Sequence, residues 1–116
     1  MGLDQYVFEV PPNHPPDEPV EELFYWRKHA DLQGWMEQLW RTKTNPPDNA
    51  SMNCMDVELT MDDIVQLESV YDQLPYTTGF FFGKSGVHSD QATASFIKKA
   101  KASLRKGNKL FYTADW

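Results

Sequence analysis

A chain of 116 residues with a hydrophobic share of 41% and an aromatic share of 14% is a single domain with a real core, too short for two lobes around a cleft and too apolar to stay disordered. Its net charge of −6 argues against general nucleic-acid binding, which needs a concentrated basic surface. No apolar run approaches the ~20 residues that span a bilayer, and Cys54, the one cysteine, has no second thiol for an internal disulfide or a zinc knuckle.

In chain order, Leu3 to Val10 (LDQYVFEV) is β-rich with imperfect alternation and predicts a first strand. The start shows neither a basic region nor an apolar signal segment, so the expected location is the cytoplasm. Residues 11–19 hold five prolines within nine; proline fixes φ and removes a donor, which predicts an extended loop ending where Asp17 or Glu18 caps a helix. The stretch from Val20 to Arg41 is read as one anchor helix carrying Trp26, Trp35 and Trp40, stopped by Thr42, Thr44, Asn45, Pro46 and Pro47. Its acids at Glu21 and Glu22 suit a helix N-terminus.

Met52 to Leu59 alternates Met55, Val57 and Leu59 with Asp56 and Glu58, the period of two of a half-buried strand. Thr60 with Asp63 three residues on reads as an N-cap opening a helix whose Ile64, Leu67, Val70 or Tyr71, and Leu74 share a face. The Gly79–Gly83 run with three phenylalanines reads equally as a short buried strand or as a loop against the anchor helix. A third helix starts at Ser89 or Asp90, keeps Thr93, Phe96 or Ile97, Ala100 and Leu104 on one stripe, and ends at Gly107. Leu110 to Thr113 is a last short strand. This order predicts an α+β domain over residues 1–116, three helices packed on a small, mainly antiparallel sheet. Charge is uneven along it: residues 1–75 carry 15 acids and 4 bases, net −11, and residues 76–116 carry 2 acids and 7 bases, net +5.

Projected as a helix, the anchor groups Phe24, Tyr25, Leu32, Trp35, Met36 and Leu39 on one face, with Lys28 inside that face and His29 at its edge. A lysine there either snorkels along its stem to water or meets a buried partner. In the second case Tyr25, Lys28, His29 and Trp35 wall a pocket closed by Gly79 and Phe81, suited to a nucleotide-like or anionic small ligand. His29 has no second ligand at helical spacing, so no metal site is expected. The chain lacks GxSxG, HExxH and P-loop spacing, so no catalytic residue and no cofactor is assigned.

The start Met1-Gly2-Leu3-Asp4-x-Tyr6, the Tyr25-Trp26-Arg27-Lys28 run with Trp35, the Leu74-Pro75-x-Thr77-x-Gly79-Phe80-Phe81-Phe82-Gly83 segment and the closing Trp116 together resemble a family of small uncharacterised bacteriophage and bacterial proteins. Some of these carry the label phosphoglycerate kinase, a large two-lobed enzyme that 116 residues without nucleotide motifs do not match. The resemblance implies a phage or prophage origin and an accessory role, without an activity. The leading expectation is a non-enzymatic binding protein that acts on a host protein; the alternative is a protein that sequesters a small anionic ligand. A symmetric dimer is a further way for so aromatic a chain to bury apolar surface.

Overall fold

The computed structural model describes residues 3–74 and 89–116. The chain folds as β1 (Asp4–Val10), β2 (Glu21–Arg27), α1 (Ala30–Thr44), β3 (Asp56–Leu59), α2 (Met61–Val70), α3 (Ser89–Arg105) and β4 (Lys109–Asp115). The strands form one antiparallel sheet in the order β2-β1-β4-β3, so the last strand lies between the first and the third. Among the described residues, three helices on a four-stranded antiparallel sheet make this the expected α+β domain. Among the described residues no helix is long and apolar enough to cross a membrane.

The anchor helix expected over Val20 to Arg41 is the main correction. Its first third is β2 and its remainder opens α1, with the break at Lys28 and His29. β2 pairs with β1 from Asp4–Arg27 to Glu9–Glu21, with a bulge opposite Val7 and Phe8. Trp26 is 4% exposed and Tyr25 beside it 42% exposed, the alternation of a strand with one covered face. Three consecutive aromatics, Phe24, Tyr25 and Trp26, hid that period. Asp17 and Glu18 lie in the proline-rich loop and cap nothing; the residue at the α1 N-cap is His29, whose side chain makes no capping bond. The turn into α1 bends through Lys28 at φ 60°, and the Lys28 N–H donates to the Leu3 carbonyl at 2.8 Å.

The core lies between the sheet and the helices. Val7, Trp26, Val57, Leu59, Leu110, Tyr112 and Ala114 point inward from the strands and meet Leu32, Met36 and Trp40 of α1, Ile64 and Leu67 of α2, and Phe96, Ile97 and Ala100 of α3. Trp26 sits at its aromatic centre, 4.8 Å edge-on from Phe96 and 4.7 Å from Phe24 by ring centroids, a spacing at which ring quadrupoles attract. Its indole N–H donates to Thr93 Oγ1 at 3.3 Å.

Local chemistry sets the other boundaries. The Thr60–Asp63 capping box is complete, with Thr60 Oγ1 accepting from the Asp63 N–H and the Asp63 carboxylate accepting from the Thr60 N–H. Lys43 at the end of α1 also pairs with Asp63. Burial pushes the Asp63 carboxyl up, but Lys43 and Thr60 outweigh it and hold it below its usual range. α1 ends on Asn45 in the left-handed region, its N–H returning to the Arg41 carbonyl at 2.9 Å. Gly107, at φ 89°, turns α3 into β4. The second helix stops at Val70 and so does not reach Leu74, whereas β3 is confined to Asp56–Leu59 and leaves Met55 48% exposed.

Candidate functional site

Strand alternation gives the sheet a second face, turned away from the helices. By register its members are Glu22, Tyr25 and Arg27 of β2, Asp4, Tyr6, Phe8 and Val10 of β1, Lys109, Phe111, Thr113 and Asp115 of β4, and Asp56 and Glu58 of β3. Directly paired residues share a side of the sheet, so these form cross-strand rows. One row runs Tyr25, Tyr6, Thr113, Asp56; the next runs Glu22, Phe8, Phe111, Glu58. Among the described residues none of these side chains belongs to the core cluster.

The aromatics of this face are ordered against one another. Tyr6 and Tyr25 are 5.2 Å apart by ring centroids, and Tyr6 stacks on Phe8 at 6.0 Å and 16°. The Tyr25 hydroxyl donates to Asp4 Oδ1 at 2.5 Å. That bond to a carboxylate, aided by desolvation, pushes the Tyr25 phenol up to about 12. The Tyr6 phenol is raised too, by desolvation first and then by the charges of Asp115, Asp4 and Glu22. Neighbouring carboxylates thus add to desolvation in both shifts.

The residues proposed from sequence are dispersed. Tyr25 stands on the open face; Lys28 is exposed at the β2–α1 turn; His29 is 1% exposed beneath the sheet. Trp35 lines a groove of about 540 Å³ between α1 and α2 with Leu39, Glu37 and Gln66, and none of the other three reaches it. Tyr25 and Lys28 therefore do not join Trp35 in one pocket, because the strand-to-helix break at Lys28 turns them away from the α1 face that the single helix would have shared. Gly79 and Phe81, and with them the choice between strand and loop for Gly79–Gly83, lie outside the described residues.

His29 belongs to a buried polar network at the junction of β1, β4 and α1. The Gln5 side chain donates to the His29 carbonyl at 3.0 Å and accepts from the His29 N–H at 2.8 Å. Gln5 also donates to the Tyr112 hydroxyl at 3.0 Å, which in turn donates to Gln33 Oε1 at 2.5 Å. Gln33 reaches Met52 Sδ at 3.6 Å. Burial raises the Tyr112 phenol, against the Gln5 bond, and lowers the His29 imidazole, against Asp31 and Asp90. This network fixes the α1 entry to the sheet through bonds that two neutral glutamines supply. Its hydrogen bonds are structural, since the Gln5, Tyr112 and Gln33 side chains each bond to another protein atom.

Sequence reasoning missed Asp4, Tyr6, Phe8 and Phe111 as surface members. The signal was present: Tyr6 and Phe8 alternate with Gln5 and Val7, but with aromatics on the side turned from the core. Among the described residues, no group of three or more His, Cys, Asp or Glu is placed to hold a metal ion. Compared with family models, with curated proteins and with solved structures, the chain matches none.

Proposed function

We propose that this chain is a non-enzymatic binding protein, a phage or prophage accessory factor that engages a host protein through the open face of its sheet. The observation that carries the reading is that face itself: Tyr6, Phe8, Tyr25 and Phe111 form its centre, outside the packed core. Aromatic side chains with few rotatable bonds supply large contact area at low entropic cost, which is why they anchor protein interfaces. The phage setting is supported by the resemblance in the opening residues, the Tyr25–Lys28 run and the Leu74–Gly83 segment.

The small-anion alternative has weaker support. Among the described residues lining the groove beside Trp35, Glu37 is the charged one, and a carboxylate repels an anionic ligand. The test is an affinity capture from bacterial lysate with the tagged chain. A host protein recovered in near-stoichiometric amount supports the reading, and recovery of nothing above background overturns it. A thermal-shift screen of nucleotides and small anions tests the alternative: ligand at about 100 times its Kd adds ~2.7 kcal/mol of stability.

A further inference from the structure

The open face has a charge pattern as well as an aromatic centre. Among the described residues, five carboxylates stand on it, Asp4, Glu22, Asp56, Glu58 and Asp115, against the two cations Arg27 and Lys109. Their placement is ordered: the Phe8–Phe111 pair is flanked by Glu22 and Glu58, and the Tyr25–Tyr6 pair by Asp4 on one side and Asp56 beyond Thr113. The two aromatic rows are two residues apart along the strands, about 7 Å.

This combination discriminates among partners. Phosphate-bearing or acidic partners meet like charge. A neutral apolar partner offers no counter-charge to the carboxylates it covers, which costs free energy against the gain from the rings. Guanidinium satisfies both features at once: it is planar, weakly hydrated, stacks on aromatic faces and takes a carboxylate in a bidentate grip. Ammonium offers the charge without the stacking plane.

We propose that the open face docks an arginine-bearing segment of the partner protein, its guanidinium groups stacked on the two aromatic rows and paired with the carboxylates that flank them. The inference rests on the binding reading above and names the chemistry of the partner. An extended segment presents alternate side chains on one side about 7 Å apart, which matches the spacing of the two rows. The negative potential that raises the Tyr6 phenol, after the effect of burial, comes from Asp115, Asp4 and Glu22 of this same face.

The probe is a capped synthetic peptide with arginine at alternate positions, compared with its lysine and glutamate counterparts, titrated into the isotope-labelled full chain at about 0.15 M salt. The expected result is amide shifts centred on Tyr6, Phe8, Tyr25 and Phe111, with the lysine peptide weaker and the glutamate peptide silent. Glu22 and Glu58 are exposed, so Glu22→Gln with Glu58→Gln leaves the fold intact, as an unchanged spectrum verifies, and weakens arginine-peptide binding about tenfold. No shifts, shifts confined to another surface, or equal binding by the double variant overturns the proposal. So does concentration-dependent self-association without peptide that the double variant abolishes, because the occupant is then the Lys98, Lys99 and Arg105 side of α3 in a second copy. Repeating the lysate capture with the double variant separates the two readings. A host protein still captured sinks the arginine-docking inference alone; peptide binding with no host protein captured sinks the host-partner reading alone.

Discussion

The two faces of one sheet use similar residues for different ends. On the inner face Trp26, Tyr112 and Val7 are packed against helices, and the polar atoms there, Gln5 and the Tyr112 hydroxyl, are bonded to partners within the protein. On the outer face Tyr6 lies against Phe8 and Tyr25, Phe111 stands opposite Phe8 across the strands, and carboxylates border them. Neighbours in sequence therefore differ in consequence. Residue type alone does not distinguish Tyr25 from Trp26; the side of the strand does, and a slip of one residue in register would exchange their surroundings.

The sharpest way to break that comparison is to truncate adjacent residues. Trp26→Ala removes the ring packed against Phe24 and Phe96 and should cost about 3–5 kcal/mol in urea unfolding, while Tyr25→Ala should cost less than about 1 kcal/mol. Equal losses would mean that the outer face is as tightly packed as the inner one. Next in size is Tyr112→Phe, which leaves Gln5 Nε2 and Gln33 Oε1 each short of a partner inside the core and should lower stability by about 1–3 kcal/mol. The same deletion on the open face, Tyr25→Phe, removes a bond at the solvent boundary and should cost well under half as much.

A graded effect should come from His29. Burial holds its imidazole below the usual range, so the unfolded chain takes up a proton that the folded chain resists. The stability tied to this is whole above about pH 6.5 and is lost as the pH falls from there through the folded value. The urea midpoint should decline between about pH 7 and pH 5, with a shallower decline in His29→Gln; parallel slopes would remove His29 as the cause. The smallest change is Lys28→Gly, at a left-handed φ of 60°. Glycine relieves about 1 kcal/mol of backbone strain and gives back part of it in unfolded-state entropy, leaving a gain of roughly 0.5 kcal/mol by thermal melting.

The legibility of the chain followed the same division. The capping box at Thr60 and Asp63, the Val57 and Leu59 side of β3, the α3 stripe and the stop at Gly107 were readable because each rests on contacts within a few residues. The anchor stretch was not. In Glu21–Arg27 the bulge opposite Val7 and Phe8 interrupts the period of two, and Phe24, Tyr25 and Trp26 are apolar enough to satisfy a helical projection just as well. Only pairing with β1 decides between the two, and that contact is not local. The proposed pocket inherited the error, since a helical wheel brought Tyr25 and Lys28 to the side of Trp35. The open face needed the register of four strands before its rows could be seen.

The position of β4 has a consequence for the order of events during synthesis. Gln5 and Tyr112, bonded in the finished core, are 107 residues apart in the chain, and β1 and β3 have no common neighbour until Lys109–Asp115 is threaded between them. A nascent chain lacking those residues presents two unsatisfied strand edges and an unroofed set of inward aromatics, the conditions under which chaperones bind and chains aggregate. Such distant pairing also slows folding, because the loop must close before its contacts repay the lost entropy. Quality control is thus built into the strand order: a copy cut short before Leu110 keeps the β1–β2 pair but loses the strand that joins it to β3, and with it Phe111, Thr113 and Asp115 of the open face.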